Sequence, residues 1–99
     1  MLSKHNVSST PLGASASFTG QYEFLQHGRF QAVSLIVSTD QSGSLQILFS
    51  NDGSTTLHSE TFTITGGTDF YKVVEVKGLF FKAVYTNGGV AQSSFTLSA

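Results

Sequence analysis

The chain carries few side chains whose types and spacing suit catalysis or metal binding. Its three histidines, His5, His27 and His58, are far apart in sequence, so no two have the close spacing of a metal-ligating pair. The carboxylates Asp40 and Asp52 flank one strand-length segment, which separates them by a large part of its rise of about 3.3 Å per residue. They are therefore poor candidates for a pair of glycosidase acids, and the sequence predicts no metal site.

Nucleophilic catalysis has no recognisable motif in this sequence. It would need a serine, a base and an orienting acid in one pocket, and none of the 15 serines lies in a Gly-x-Ser-x-Gly elbow. Cysteine is absent, which removes a cysteine nucleophile, thiolate metal sites and disulfides, and fits synthesis in a reducing cytosol. No glycine-rich phosphate loop is present, because the glycines stand singly or in pairs at turns. We expect no enzyme activity and no cofactor.

Composition predicts a small domain with a hydroxyl-rich surface. The 99 residues are the size of one domain, and 39% of them are hydrophobic, including nine phenylalanines that favour a packed core. Charged residues make up 11%, against about 25% in an average globular domain, whereas 26 residues are serine or threonine. The net charge of −1 and the lack of basic runs argue against nucleic acid and anionic membranes as partners. No apolar run comes close to the length of a membrane helix, which is about 20 residues.

Residues 1–14 are interpreted as a flexible N-terminal arm. They are small and polar, contain the only proline, Pro11, and show no lasting periodicity. No apolar stretch follows Lys4, so we expect no signal peptide, and the glycosylation triplet Asn6-Val7-Ser8 is attributed to chance. Residues 15–99 then form a single domain, and removal of residues 1–14 is expected to leave its fold intact but to weaken assembly with a partner.

Period-two alternation of apolar and polar residues predicts strands along the rest of the chain. The first strand places Phe18, Gly20, Tyr22 and Phe24 on one face, and the later strands fall near residues 30–38, 45–49, 55–65, 70–76, 79–85 and 91–97. Turn residues separate them: His27-Gly28, residues 40–43, 50–53, 66–69, 77–78 and 86–89. The segments 50–53 and 86–89 carry Asp-Gly and Asn-Gly, so we expect a tight hairpin at each.

Short strands at about ten-residue spacing, with no window of helical period, indicate an all-β domain. We predict a seven- to eight-stranded antiparallel β-sandwich, immunoglobulin-like or jelly-roll, with phenylalanine-rich faces inside and Ser/Thr-rich faces outside. The core side of this sandwich is expected to include Phe49 and each of the three tyrosines. The strand near residues 79–85 is apolar on both faces, which suggests that an outer face meets another protein.

Four segments of the sequence, taken in order, resemble a known family. They are Phe18-Thr19-Gly20-Gln21-Tyr22-Glu23, the stretch from Val33 to the Asp40-Gln41-Ser42-Gly43 turn, the stretch from Leu45 to Phe49-Ser50-Asn51-Asp52-Gly53, and Phe80-Phe81-Lys82-Ala83-Val84-Tyr85-Thr86-Asn87-Gly88. Together, over residues 9–98, they resemble a small β-sandwich module of structural proteins from bacteriophages and other double-stranded DNA viruses. Where members of that family often carry tryptophan after the Asp-Gly hairpin, this chain has Ser54-Thr55-Thr56-Leu57.

The resemblance implies a virion structural protein (a capsid, cement or decoration, or vertex component) made in the host cytoplasm and located in the virion. Such a protein would act by protein–protein assembly. Its partners would be other virion proteins, or copies of itself in a homo-oligomer or capsid lattice. The resemblance implies no active residues. The alternative is a glycan-binding or host-attachment module of a virus particle. That function would need exposed tyrosines or loops rich in Asp and Asn, for which residues 50–53 and 86–89 are the candidates.

Overall fold

The structure is a computed structural model, and it describes residues 6–24, 32–75 and 77–98. Within these ranges the chain forms strands and no helix: β1 (Ser17–Thr19), β2 (Glu23–Phe24), β3 (Ala32–Thr39), β4 (Gly43–Ser50), β5 (Thr56–Ile64), β6 (Phe70–Glu75), β7 (Phe80–Asn87) and β8 (Phe95–Ser98). The predicted turn at His27-Gly28 and the histidine His5 lie outside the described residues.

The strands form two antiparallel sheets. One has the order β1–β7–β4–β5, with β2 also paired to β7, and the other has the order β6–β3–β8. The predicted all-β sandwich is therefore confirmed, with eight strands. If β1 and β2 are counted as one interrupted strand, β3 pairs with β6 and β4 with β7, as strands B–E and C–F do in an immunoglobulin domain. The first and last strands instead lie in exchanged sheets, β1 beside β7 and β8 beside β3.

Alternation along the strands places one face of each sheet in a shared core. In β4 the predicted stripe of Leu45, Ile47 and Phe49 is fully buried. The rings of Tyr85 and Phe95, 4.8 Å apart, join the two sheets. The remaining core residues come from five strands: Val33, Leu35, Val37, Ile64, Val74, Phe81, Ala83 and Leu97.

Only one of the two predicted hairpins forms. β4 and β5 are antiparallel neighbours, although their connection is longer than a two-residue turn and the register shifts between Phe49 and Ser50. The second prediction is wrong, because β7 lies in the five-stranded sheet and β8 in the three-stranded sheet. Asn87, which was predicted to form the tight turn, instead holds a longer connection between the two sheets. Its amide donates to the backbone oxygens of Val90 and Gly13, both at 2.9 Å.

The predicted single face for Phe18, Tyr22 and Phe24 is wrong because the strand slips by one residue. β1 aligns Phe18 with Tyr85, whereas β2 aligns Phe24 with Phe80, which leaves one extra residue on the β1–β2 side. A one-residue shift moves every later side chain to the opposite face. Phe18 therefore packs on the core, while Phe24 is directed outward against Phe80, with ring centroids 5.2 Å apart.

The buried side chain of Asn6 fills the gap that this shift leaves in the sheet. Its Oδ1 accepts a hydrogen bond from the Ala83 backbone N–H at 2.8 Å. Its Nδ2 donates to the Gln21 backbone oxygen at 2.9 Å. The amide thus replaces a missing rung between β7 and the β1–β2 strand. Asn6 is fully buried, so its amide nitrogen is not accessible to glycosylation in the folded domain.

Residues 6–14, which the sequence places in a flexible arm, lie against the sandwich. Ser8 exchanges two backbone hydrogen bonds with Leu97 of β8. Leu12 packs on the core, and its N–H donates to the buried Gln92 side chain at 2.8 Å. These bonds correct the prediction of a free arm for residues 6–14, while residues 1–5 lie outside the described residues.

Candidate interaction surface

Among the described residues, the side chains considered for catalysis or metal binding do not converge on one site. His58, on β5, is half-exposed and faces Glu60 at 3.5 Å between Nε2 and Oε2. His27 lies outside the described residues. Within the described ranges no three histidine or carboxylate side chains come close enough to hold a metal ion. The expectations of no enzyme activity, no metal and no cofactor remain predictions.

Asp52 organises the β4–β5 connection. Its Oδ1 accepts hydrogen bonds from the Thr55 N–H at 2.7 Å, the Ser54 N–H at 2.8 Å and the Ser50 hydroxyl at 2.8 Å. These three donors, with Thr55 the strongest, hold the pKa of the Asp52 carboxyl well below its usual range. Asn51 is also used in the structure, because its Oδ1 accepts from the Leu79 N–H at 3.2 Å.

Asp40 has the same role on the opposite sheet, where it ties the end of β3 to the start of β8. The Ser93 hydroxyl donates to it at 2.6 Å, and the Ser94 and Ser93 N–H groups donate at 3.1 and 3.0 Å. The Ser93 hydroxyl is the main reason that the pKa of this carboxyl lies well below its usual range. Both aspartates therefore stabilise loops, in agreement with the turns predicted around them.

The two aspartates predict a loss of stability in acid. A carboxyl whose pKa is depressed in the folded state stabilises fully above the unfolded pKa of about 3.9, and this contribution is lost as pH falls through the folded value. We expect the free energy of unfolding in urea to fall between about pH 5 and pH 2. The fall should be less steep in the Asp40→Asn/Asp52→Asn variant than in wild type or in the exposed control Asp69→Asn. Equal slopes of the free energy of unfolding against pH for the double variant and wild type would contradict this role of the two aspartates.

The three tyrosines have three different environments. Tyr85 is fully buried, as predicted, and burial raises the pKa of its hydroxyl. Tyr22 is half-buried on the outer face of the five-stranded sheet, where its ring lies 4.6 Å from Lys82 Nζ and its hydroxyl contacts Thr56 Oγ1. Tyr71 is 64% exposed, so the prediction of a core position is wrong for Tyr71 as well as for Tyr22.

The outer face of β7 is covered by the chain itself. Its outward residues Phe80, Lys82 and Val84 are all partly buried. Phe24 stacks on Phe80, and Tyr22 lies over Lys82. The apolar outer face of this strand, taken in the sequence as a sign of a partner, is therefore explained largely by contacts within the domain.

The outer face of the three-stranded sheet is left open instead. Ile36 of β3 is 45% exposed and stands directly opposite Tyr71 of β6. Val73, two residues along β6 on the same face, is 48% exposed. We call Ile36, Tyr71 and Val73 the apolar patch. Small hydroxyl residues surround it on β3 and β8: Ser34, Ser38, Thr96 and Ser98.

The apolar patch was only partly visible in the sequence. Alternation places Tyr71 and Val73 on one face of their strand and marks Ile36 as apolar opposite the core face of its own strand. It does not say which strands are neighbours. Pairing of β3 with β6 brings the three side chains together, and it depends on contacts between segments distant in sequence.

A shallow groove also runs beside β8. It has a volume of about 550 Å³ and lies between residues 7–10 and residues 96–98. The described residues that line it are apolar or carry hydroxyls: Val7, Ser8, Ser9, Thr10, Thr96, Leu97 and Ser98. In the ranges that the structure describes, no helix has the length and apolar character needed to cross a membrane.

Comparison with known proteins places this fold in a family. A family profile described as "Uncharacterised protein YqxG N-terminal domain" matches residues 1–99. No curated protein matches the chain. Among solved structures, "Crystal structure of PBSX exported protein XepA" is similar, with a TM-score of 0.79 and 21% identity over 92% of this chain and 33% of that chain. At this identity the likeness supports the sandwich fold, and the chain spans about a third of the XepA chain. Because the profile covers every residue, the chain belongs to the family of YqxG N-terminal domains.

Proposed function

We propose that this domain is a non-enzymatic assembly module of a bacteriophage-related protein, and that it binds a protein partner through the apolar patch. The sequence motifs that resemble phage structural modules and the shared fold with the PBSX exported protein XepA support the phage relation. In its most specific form the proposal is a virion component: a capsid, cement or decoration, or vertex protein.

The apolar patch is the observation that carries this proposal. Tyr71, Ile36 and Val73 are about half exposed or more and lie next to one another on a sheet face. Tyrosine is among the residues that most often dominate binding energy at protein interfaces. The surrounding hydroxyls can form new hydrogen bonds with a partner, so covering them costs little free energy compared with covering unpaired charges.

The proposal is tested by association with phage particles. Tagged wild-type protein should co-purify with particles at a fixed copy number, and Tyr71→Ser/Val73→Ser should raise the protein concentration that half-fills the particles at least about tenfold, the loss of roughly 1.4 kcal/mol. Because both side chains are exposed, thermal stability should change little. Val90→Ser is the matched control, since Val90 is 60% exposed and lies in the β7–β8 connection. Absence of wild-type protein from particles, or equal recovery of the patch variant and the control, would contradict the proposal.

Glycan binding is the second candidate, and the exposed ring of Tyr71 is the observation that favours it. The candidate loops give it less support, because Asn51, Asp52 and Asn87 already bond within the domain. A glycan array decides between the two functions. We expect no binding above that of Tyr71→Ser, whereas binding that this substitution abolishes would favour the attachment module.

A further inference from the structure

We propose that two copies of this chain pair antiparallel along the free edge of β5, with Ser59 of one copy directly opposite Ser59 of the other. This inference rests on the proposed function, because it names a second copy as one partner of the assembly module.

The free edge of β5 is the most suitable one for such pairing. β5 is nine residues long and ends the five-stranded sheet, so that among the described strands it pairs with β4 alone. Its length of about 30 Å presents a row of backbone N–H and C=O groups on the open side. Each residue from Thr56 to Ser59 is exposed, and the strand contains no proline to prevent pairing.

The other edges are less suited. The β1–β2 edge is interrupted by the one-residue shift. The β8 edge already bonds to Ser8. The β6 edge is six residues long, and its charged residues Lys72 and Glu75 point to opposite faces, so they cannot meet across a two-fold axis.

Charge complementarity sets the register on β5. His58 and Glu60 lie on the same face of the strand, one on each side of Ser59. With Ser59 at the two-fold axis, His58 of each copy stands opposite Glu60 of the other. Opposite charges at directly facing positions stabilise an antiparallel pair, and a neutral imidazole can still donate its N–H to the carboxylate.

Neighbouring registers lack this complementarity. An axis at His58 would place two imidazoles opposite each other, and an axis at Glu60 would place two carboxylates opposite each other, which destabilises a pair. An axis at Leu57 or Thr61 would leave both charged side chains facing uncharged residues. Only the register centred on Ser59 brings the two His58–Glu60 pairs together.

Single cysteines measure the register directly, because the chain has no cysteine of its own. Ser59→Cys places two thiols on directly opposite residues, whose Cα atoms are about 5 Å apart in an antiparallel pair and within the range of a disulfide. Thr61→Cys is the matched control on the same exposed face. Its thiols would lie about 13 Å apart along the strands, because Thr61 faces Leu57 of the second copy.

Under mild oxidation, we expect Ser59→Cys to form a disulfide dimer at least tenfold faster than Thr61→Cys, as seen on non-reducing gels. Equal rates, or faster cross-linking of Thr61→Cys, would overturn the register.

A charge exchange gives a second measurement, in which analytical ultracentrifugation reports the strength of dimerisation. His58→Glu should weaken dimerisation several-fold, and His58→Glu/Glu60→His should restore it. Failure of the double variant to restore dimerisation, while its circular dichroism spectrum stays native, would also overturn the proposal.

These results are separable from the test of the proposed function. Cross-linking uses purified protein and β5, whereas particle association is measured with variants of the apolar patch on the other sheet. Particle association without selective cross-linking would overturn β5 pairing alone. Selective cross-linking without particle association would support β5 pairing and overturn the proposed phage assembly function.

Discussion

Replacing Phe49 by alanine is expected to lower the free energy of unfolding by about 3–5 kcal/mol. Phe49 is fully buried on β4, where it stands between Phe81 of β7 and His58 of β5. Loss of its ring removes apolar burial and leaves a cavity that packed strands can fill only in part. Since small domains are stable by about 5–15 kcal/mol, this single change removes a large share of that stability. Urea unfolding followed by circular dichroism measures it.

Leu57→Ala is the matched control for Phe49→Ala. Leu57 is 58% exposed on β5, so its loss should change the free energy of unfolding by less than about 0.5 kcal/mol. If Phe49→Ala unfolds at the same urea concentration as wild type, Phe49 contributes nothing to the core and the register of β4 described above is wrong.

The inward face of most strands could be predicted because each strand is buried on one side only. A period of two then leaves a single pattern that keeps apolar residues inside, as for Leu45, Ile47 and Phe49. The same argument predicts Phe95 and Leu97 of β8 and Ile64 of β5, all of which are buried. Alternation is a local property, so one sequence suffices to detect it.

Features that depend on distant contacts could not be predicted. The slip between β1 and β2 leaves no local mark, because Phe18, Gly20, Tyr22 and Phe24 alternate with polar residues as they would in an uninterrupted strand. Asn6 forms its hydrogen bonds with Gln21 and Ala83, far along the chain. Nothing in the polar sequence around Asn6 distinguishes a buried amide from one in a flexible tail.

The candidate surface shows the same division. The sequence indicates that an outer sheet face meets a partner, but it places that face on the strand near residues 79–85. There Tyr22 and Phe24 cover β7, and they reach it because of the slip. The three exposed apolar side chains of the apolar patch, Ile36, Tyr71 and Val73, lie instead on β3 and β6. Which outer face stays open depends on where the edge segments fold back, and alternation within a strand carries no information about that.

Removal of residues 1–14 is expected to destabilise the domain strongly, contrary to the sequence-based expectation of an intact fold. Truncation removes the Asn6 amide, the Leu12 side chain on the core and the Ser8 hydrogen bonds to β8. Asn6→Ala isolates one part. It leaves the buried Ala83 N–H and the Gln21 C=O without this partner, and should cost about 1–3 kcal/mol in urea unfolding.

The truncated protein should lose more stability than Asn6→Ala, because Leu12 also buries apolar surface and the two hydrogen bonds between the Leu12 backbone and Gln92 are lost. Ser9→Ala is the control within the same segment. Because Ser9 is exposed, the free energy of unfolding of this variant should stay within about 0.5 kcal/mol of wild type.

A truncated protein as stable as the full chain would show that residues 6–14 contribute no net stability. Binding losses caused by truncation could then be assigned to a docking arm. If truncation destabilises the domain as expected, such losses follow from unfolding, and the contribution of the N-terminal segment to assembly must be measured with exposed-residue variants such as Ser9→Ala.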